Sequence, residues 1–212
     1  MTLLTKDEVA LVLSTLNTLY PDARPMLSYD NAFELLIAAI LSAQCSDTRV
    51  NIVTSELFSR YKTPSDFAAL TTDELIPIIH SCGLYKMKSK HIIEACKKIE
   101  NDYAGEVPKT LAELMTLAGV GQKVANVVLY NAFSIPAIAV DTHVFRVSNR
   151  IGLADAKTPE KTEQDLKNCI PMELWGSAHH MLIFHGRSVC KSQKPACNDC
   201  ALNNICLRKE VN

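Results

Sequence analysis

The pairing Thr5/Glu8 recurs along the chain as Asn31/Glu34, Thr71/Glu74 and Thr110/Glu113. A small polar residue followed three positions later by glutamate is a helix-start signal. The first side chain accepts a helix N–H, and the glutamate reaches back to the N–H of the cap. No alternating apolar and polar run of useful length competes with these starts, so the chain reads as helical nearly throughout. Helices are predicted from Thr5 to about Leu19, from Asn31 to about Gln44, over Asp47–Tyr61, briefly from Thr63-Pro64, from Thr71 to a stop at Gly83, over Tyr85–Asn101, from Thr110 to about Leu117, and over Gln122–Phe133, Asp141–Ile151, Pro159–Cys169 and Pro171–Arg187. Pro77 lies inside the fifth of these, where a missing N–H costs helix stability.

The longest apolar run, Leu35–Ala43, falls short of the ~18 residues a membrane span requires. The start "MTLLTKDEV" has no basic segment or small-residue cleavage site, so a cytoplasmic protein is expected, on the nucleoid if the cell is bacterial. The formal net charge of −1 does not announce a nucleic-acid binder, but averages hide patches. Lys86, Lys88, Lys90, Lys97 and Lys98 face only Glu94 in the same stretch. From Arg187 onward five basic residues stand against Asp199 and Glu210. Of eight cysteines, Cys45, Cys82, Cys96 and Cys169 are scattered in apolar or helical settings and read as small buried hydrophobes. The other four crowd the tail.

Three constellations carry chemistry. In "LAGVGQKVANVVLYNAF" (117–133) a helix, the hairpin Gly119-Val120-Gly121 and a second helix follow each other. Glycines let a phosphate approach the backbone, and the N–H groups of a helix start attract it without arginines. A bare tight turn is the plain alternative. Lys123 stands in the first helical turn, where the helix dipole disfavours its cation and leaves more free amine, as a nucleophile requires. In "AIAVDTHVFRVSNRIG" an apolar run ends at Asp141, placed to cap the following helix while presenting its other oxygen to a substrate. His143, Arg146 and Arg150 follow as candidate phosphate contacts. The tail has Cys190, Cys197, Cys200 and Cys206 in the spacing C-x6-C-x2-C-x5-C. Tetrahedral sulfur suits zinc or a [4Fe–4S] cluster, and the single short C-x2-C arm leans to iron–sulfur. Lys191 and Lys194 interleave the first two ligands, aimed at solvent or phosphate.

In this order these motifs, with "FELLIAAILSAQCSD" (33–47), "CGLYKMKSKHI" (82–92) and "HGRSVC" (185–190), resemble the endonuclease III family of DNA glycosylases with AP-lyase activity. The resemblance covers nearly the whole chain. It implies an all-α fold of two helical domains flanking a DNA-binding groove. One is a six-helix barrel with the helix-hairpin-helix, over 23–133. The other is an iron–sulfur cluster domain of residues 1–22 and 134–212, with the tail cysteines holding a [4Fe–4S] cluster. It implies Lys123 and Asp141 as catalytic residues, and Gly119 and Gly121 as phosphate contacts. Gln44 is implied as the residue filling the space of an extruded base, and Leu84 as an apolar wedge. The implied partner is double-stranded DNA with damaged bases or abasic sites. Oxidised pyrimidines are the expected lesions and a monomer the default. Relative to similar sequences, Ala118 replaces a proline and Gln122 an arginine, which removes stiffness and a charge from the hairpin. Two other readings are an adenine-mismatch glycosylase, which pairs the aspartate with a glutamate ahead of the glutamine and usually lacks the lysine, and a non-catalytic helix-hairpin-helix module that binds duplex DNA without cutting it.

Overall fold

A computed structural model describes residues 3–209 and 211; Glu210, one of the two acids counted in the tail, and Met1 and Thr2 of the leader reading lie outside the described residues. Eleven α-helices and one 3-10 turn make up the secondary structure, with no strand among the described residues. The chain divides into two compact units, one of residues 25–135 and one of residues 1–24 with 136–212. No described helix is long and apolar enough to cross a membrane.

The 25–135 unit is built around α2 (Ala32–Ser42), in which eight of eleven residues are buried. A helix apolar on every side has to be enclosed by its neighbours. Here α3 (Asp47–Arg60), α6 (Tyr85–Tyr103) and α8 (Gln122–Phe133) pack on it. The short α4 (Pro64–Ala68) and α5 (Thr72–Ile79) cover α6, and α7 (Leu111–Leu114) packs on α8. Phe67 of α4 is fully buried, edge-on to Phe33 and Tyr61 with ring centroids 5.3 and 5.8 Å away.

The other unit packs α1 (Lys6–Leu19), α9 (Thr142–Ile151), α10 (Pro159–Cys169) and α11 (Trp175–Ser188) around Leu16, Val144, Val147, Leu166 and Leu182. Its segments are tied before α1 by the Leu4 N–H, which donates to the Gly152 carbonyl at 3.1 Å.

All four starts carry the side-chain cap the sequence predicts, but only two carry the reciprocal glutamate bond. Thr5 and Thr71 form reciprocal capping boxes with Glu8 and Glu74, holding both carboxyls below their usual range through hydrogen bonds from the threonines. Asn31 and Thr110 each accept a helix N–H. Helix ends differ more. α2 stops at Ser42, because Ala43 leaves the helical region with ψ 117°, and Gln44 beyond it is left-handed with φ 52°. α5 stops at Ile79 rather than Gly83, and α7 at Leu114. The last expected helix splits into a 3-10 turn (Met172–Leu174) and α11. Pro77 does sit inside α5, where it withholds an N–H from the carbonyl of exposed Asp73 and burial of Leu75 and Ile79 offsets the loss. Of the four scattered cysteines, Cys82 and Cys96 are buried, whereas Cys45 and Cys169 are only half-buried.

Phe67 has no room to be replaced by anything smaller without leaving a void. Phe67→Ala is expected to cost about 3–5 kcal/mol, read as a lowered urea midpoint with an unchanged slope.

Candidate active site

Between α7 and α8 the chain reverses in a few residues. The Leu117 N–H donates to Leu114 O, and the Val120 N–H to Leu117 O, both at 3.1 Å, so the hairpin closes although Ala118 supplies no ring stiffness. Gly119 lies at φ 78°, where a side chain is strained, and a Cβ there would stand 3.0 Å from His91 Cβ. Gly121 is different. It is the N-cap of α8 with ordinary extended angles, and a Cβ there would meet nothing within 4 Å.

That open face matters because of what the helix start lacks. Eight helices begin with a side chain accepting an N–H: Thr5, Asn31, Ser46, Thr63, Thr71, Thr110, Asp141 and Thr158 do so. α8, like α6 and α11, has no side-chain cap. The N–H groups of a helix start seek an acceptor, and an anion serves. Lys123, exposed, is the second residue of this helix.

Gln44 and Leu84 belong to the same unit and are both exposed. Both are left-handed, at φ 52° and 60°, which is uncommon for residues other than glycine and points to a constraint worth its strain. Gln44 lies between α2 and α3, and Leu84 is the N-cap of α6.

In the other unit, Asp141 caps α9. Its Oδ1 accepts the N–H groups of His143 and Val144 at 2.8 and 2.7 Å, while no described residue bonds Oδ2. The segment leading to it is fixed by His179 of α11, whose Nδ1 lies 2.7 Å from the Ala139 carbonyl. His143 is half-buried, which with Arg146 and Arg187 nearby lowers its pKa against the pull of Asp141. Arg146 and Arg150 do not reach out as phosphate contacts. Arg146 bonds the Gly186 and Cys190 carbonyls, and Arg150 those of Lys191 and Ser192, so both guanidinium groups brace the cysteine loop. Carbonyls 40 or more residues away satisfy them, and sequence spacing gave no sign of that.

Cys190, Cys197, Cys200 and Cys206 line one small cavity, walled also by Ile151, Val189 and Leu202. Among the described residues no three ligating side chains converge on a point where a single metal ion could sit. Burial raises the Cys200 and Cys206 thiols. Donors surround the sulfurs: the Arg208 N–H reaches Cys206 Sγ at 3.4 Å, Arg150 Nη1 lies 3.8 Å from Cys190 Sγ, and His185 Nε2 3.6 Å from Cys200 Sγ. Tyr20 hydroxyl, 3.1 Å from His185 Nδ1, sits behind that ring. Sequence reading missed His179 and His185; three histidines on one helix were the available signal. Lys191 and Lys194 are exposed on the loop between the first two cysteines.

A family model for the HhH-GPD superfamily base excision DNA repair protein matches residues 37–172. Endonuclease III of Bacillus subtilis is 45% identical over 205 residues, covering 96% of this chain and 94% of that protein. Endonuclease III of Escherichia coli is 41% identical, covering 94% of each. A trapped endonuclease III–DNA covalent intermediate, an estranged-adenine complex, superposes with a TM-score of 0.92 at 46% identity and 97% coverage of both chains.

The open space at Gly121 gives a clean test of the helix start. Gly121→Leu should leave the thermal midpoint within a degree or two. Affinity for duplex DNA should fall about tenfold, roughly 1.4 kcal/mol, because a bulky side chain bars close approach to the N–H groups. Unchanged affinity in the folded variant would remove the hairpin from the interface.

Proposed function

Since the chain belongs to the HhH-GPD superfamily of base excision DNA repair proteins, and within it to the endonuclease III family, we propose that Lys123 and Asp141 carry its chemistry on duplex DNA. The protein is a DNA glycosylase with AP-lyase activity. Oxidised pyrimidines are the proposed lesions. On this reading residues 25–135 supply the hairpin and the nucleophile, and the remaining unit supplies the aspartate and the cluster.

The observation that carries the residue assignment is the α8 start, which has no side-chain cap, an open Gly121 face and an exposed lysine one residue into the helix. A backbone phosphate bound there sets the sugar of the extruded nucleotide against Lys123. Extrusion is needed because stacked bases shield C1′, and its cost is smallest for a damaged base. Lys123 Nζ forms a bond to C1′ while the glycosidic bond breaks, and the base leaves with the proton that the amine gives up. Asp141, with Oδ2 uncommitted and Oδ1 anchored by two N–H groups, stabilises the cationic sugar or assists proton transfer. Ring opening gives the Schiff base. Loss of a C2′ proton then expels the 3′ phosphate, cutting the strand on that side, and water releases the amine.

The adenine-mismatch alternative needs a glutamate ahead of Gln44. The one acid in α2 is Glu34 in its first turn, where Oε2 accepts the Asp30 N–H at 2.8 Å and serves the cap.

Cys190, Cys197, Cys200 and Cys206 are proposed to hold a [4Fe–4S] cluster. Four thiols lining one cavity match the ligand number of such a cluster, and N–H donors to the sulfurs are the usual support of such centres. The cluster supplies a rigid staple for the loop bearing Lys191 and Lys194.

Lys123→Gln should abolish both lyase activity and the borohydride-trapped adduct while DNA binding persists. A trapped complex forming at the normal rate would assign the nucleophile to another amine. Asp141→Asn should behave differently. Its Oδ1 still caps α9, so the fold stays, and trapping on a pre-formed abasic site continues, while base excision falls about 10²-fold or more through loss of charge at the cationic sugar. Protein purified without oxygen should be yellow-brown, with broad absorption near ~400 nm from thiolate-bound iron; stoichiometric zinc without iron would refute the cluster.

A further inference from the structure

Lys88 stands in the basic stretch 86–98, yet it is only 2% exposed. Lysine is almost never this buried unless paired, and among the described residues its ammonium enters no ion pair. Nζ donates to one acceptor, the Leu41 carbonyl, at 2.7 Å. Burial lowers its pKa, with the thiols of Cys82 and Cys45 pulling the other way. A buried amine with three donor positions and one bond is a poor way to stabilise a fold, because apolar groups of the same size do as well or better. Its position offers another reason.

The backbone N–H of Lys88 donates to the Leu84 carbonyl at 3.0 Å, while its side chain reaches Leu41, three residues before Gln44. Lys88 thus ties the last turn of α2, which leads into Gln44, to the first turn of α6, which Leu84 caps. The Gln44 and Leu84 loops also touch directly. A Cβ on Gly83 would stand 3.0 Å from the Gln44 carbonyl, so any larger residue would push them apart, and the Cys45 and Cys82 side chains are hydrogen-bond neighbours.

We propose that Lys88 is a positioning residue, pinning the Leu41 carbonyl so that Gln44 and Leu84 enter the duplex as a single preformed unit. The inference rests on the reading of these two residues as the ones that fill and wedge the opened stack. Two flexible loops would have to be ordered during extrusion. A latched pair has met that entropy cost in folding, which favours the extruded state.

The test uses the cluster-loaded protein and a thymine glycol, placed either in a paired duplex or in an unpaired bubble where little opening is required. Lys88→Met keeps the volume and removes donor and charge. Its thermal midpoint should stay level or rise, its single-turnover excision from paired duplex should fall about tenfold, and excision from the bubble should stay within about twofold. Leu84→Ala should show the same substrate preference, and the double variant should be little worse than Leu84→Ala alone, because Lys88 acts through that residue. Equal slowing on both substrates, no slowing, or loss of folding in Lys88→Met overturns the positioning role. If Leu84→Ala shows no preference for the bubble, the wedge reading itself fails and this inference goes with it; if Leu84→Ala shows the preference and Lys88→Met does not, only the inference about Lys88 fails.

Discussion

The start of α8 presents helix N–H groups with no side-chain cap to accept from them. Most helices of this chain answer their own N-terminal N–H groups with a threonine, serine, asparagine or aspartate. α8 offers Gly121 and no side-chain cap. Backbone donors bind a phosphate wherever it occurs in sequence, with little bulk and no net charge. On the proposed reading, this lets a chain with a formal net charge of −1 engage DNA. Around that point the 25–135 unit looks purposeful. α2 is buried on all sides and serves as a fixed post, α8 packs on it, and the hairpin is held at a defined place on its end.

Each unit holds its proposed reactive group by a different device. Lys123 is exposed and has only helix position to define it, which leaves the amine free to move with a substrate. Asp141 is held from several sides: two N–H groups fix one oxygen, and His179 fixes the strand-like approach to it. A nucleophile gains from reach, whereas an electrostatic stabiliser gains from being oriented beforehand. The cysteine loop is braced in turn from α9, where Arg146 and Arg150 bond four carbonyls in or beside it, so the helix that begins at the aspartate also anchors the loop with the exposed lysines.

The sequence by itself determined the helical class, the helix starts and the chemical inventory. Caps are read correctly because a cap and its partner are three residues apart, and the same interaction forms whatever the rest of the chain does. Gly119 and Gly121, Lys123, Asp141 and the four tail cysteines stand out for a similar reason, since their meaning lies in short spacings. Helix ends were less legible: α2 and α5 stop where Gln44 and the 80–84 turn are shaped by packing against each other. What only the tertiary structure decided are the partners far away in sequence. Lys88 looked like one of five surface lysines until burial gave it Leu41 as a partner 47 residues back. Arg146 and Arg150 looked like phosphate ligands until folding brought loop carbonyls 40 to 44 residues away into their reach. A long basic side chain reads the same in sequence whether it ends in solvent, on a phosphate or on a buried carbonyl. Only the desolvation and the acceptors met in the folded chain choose among them.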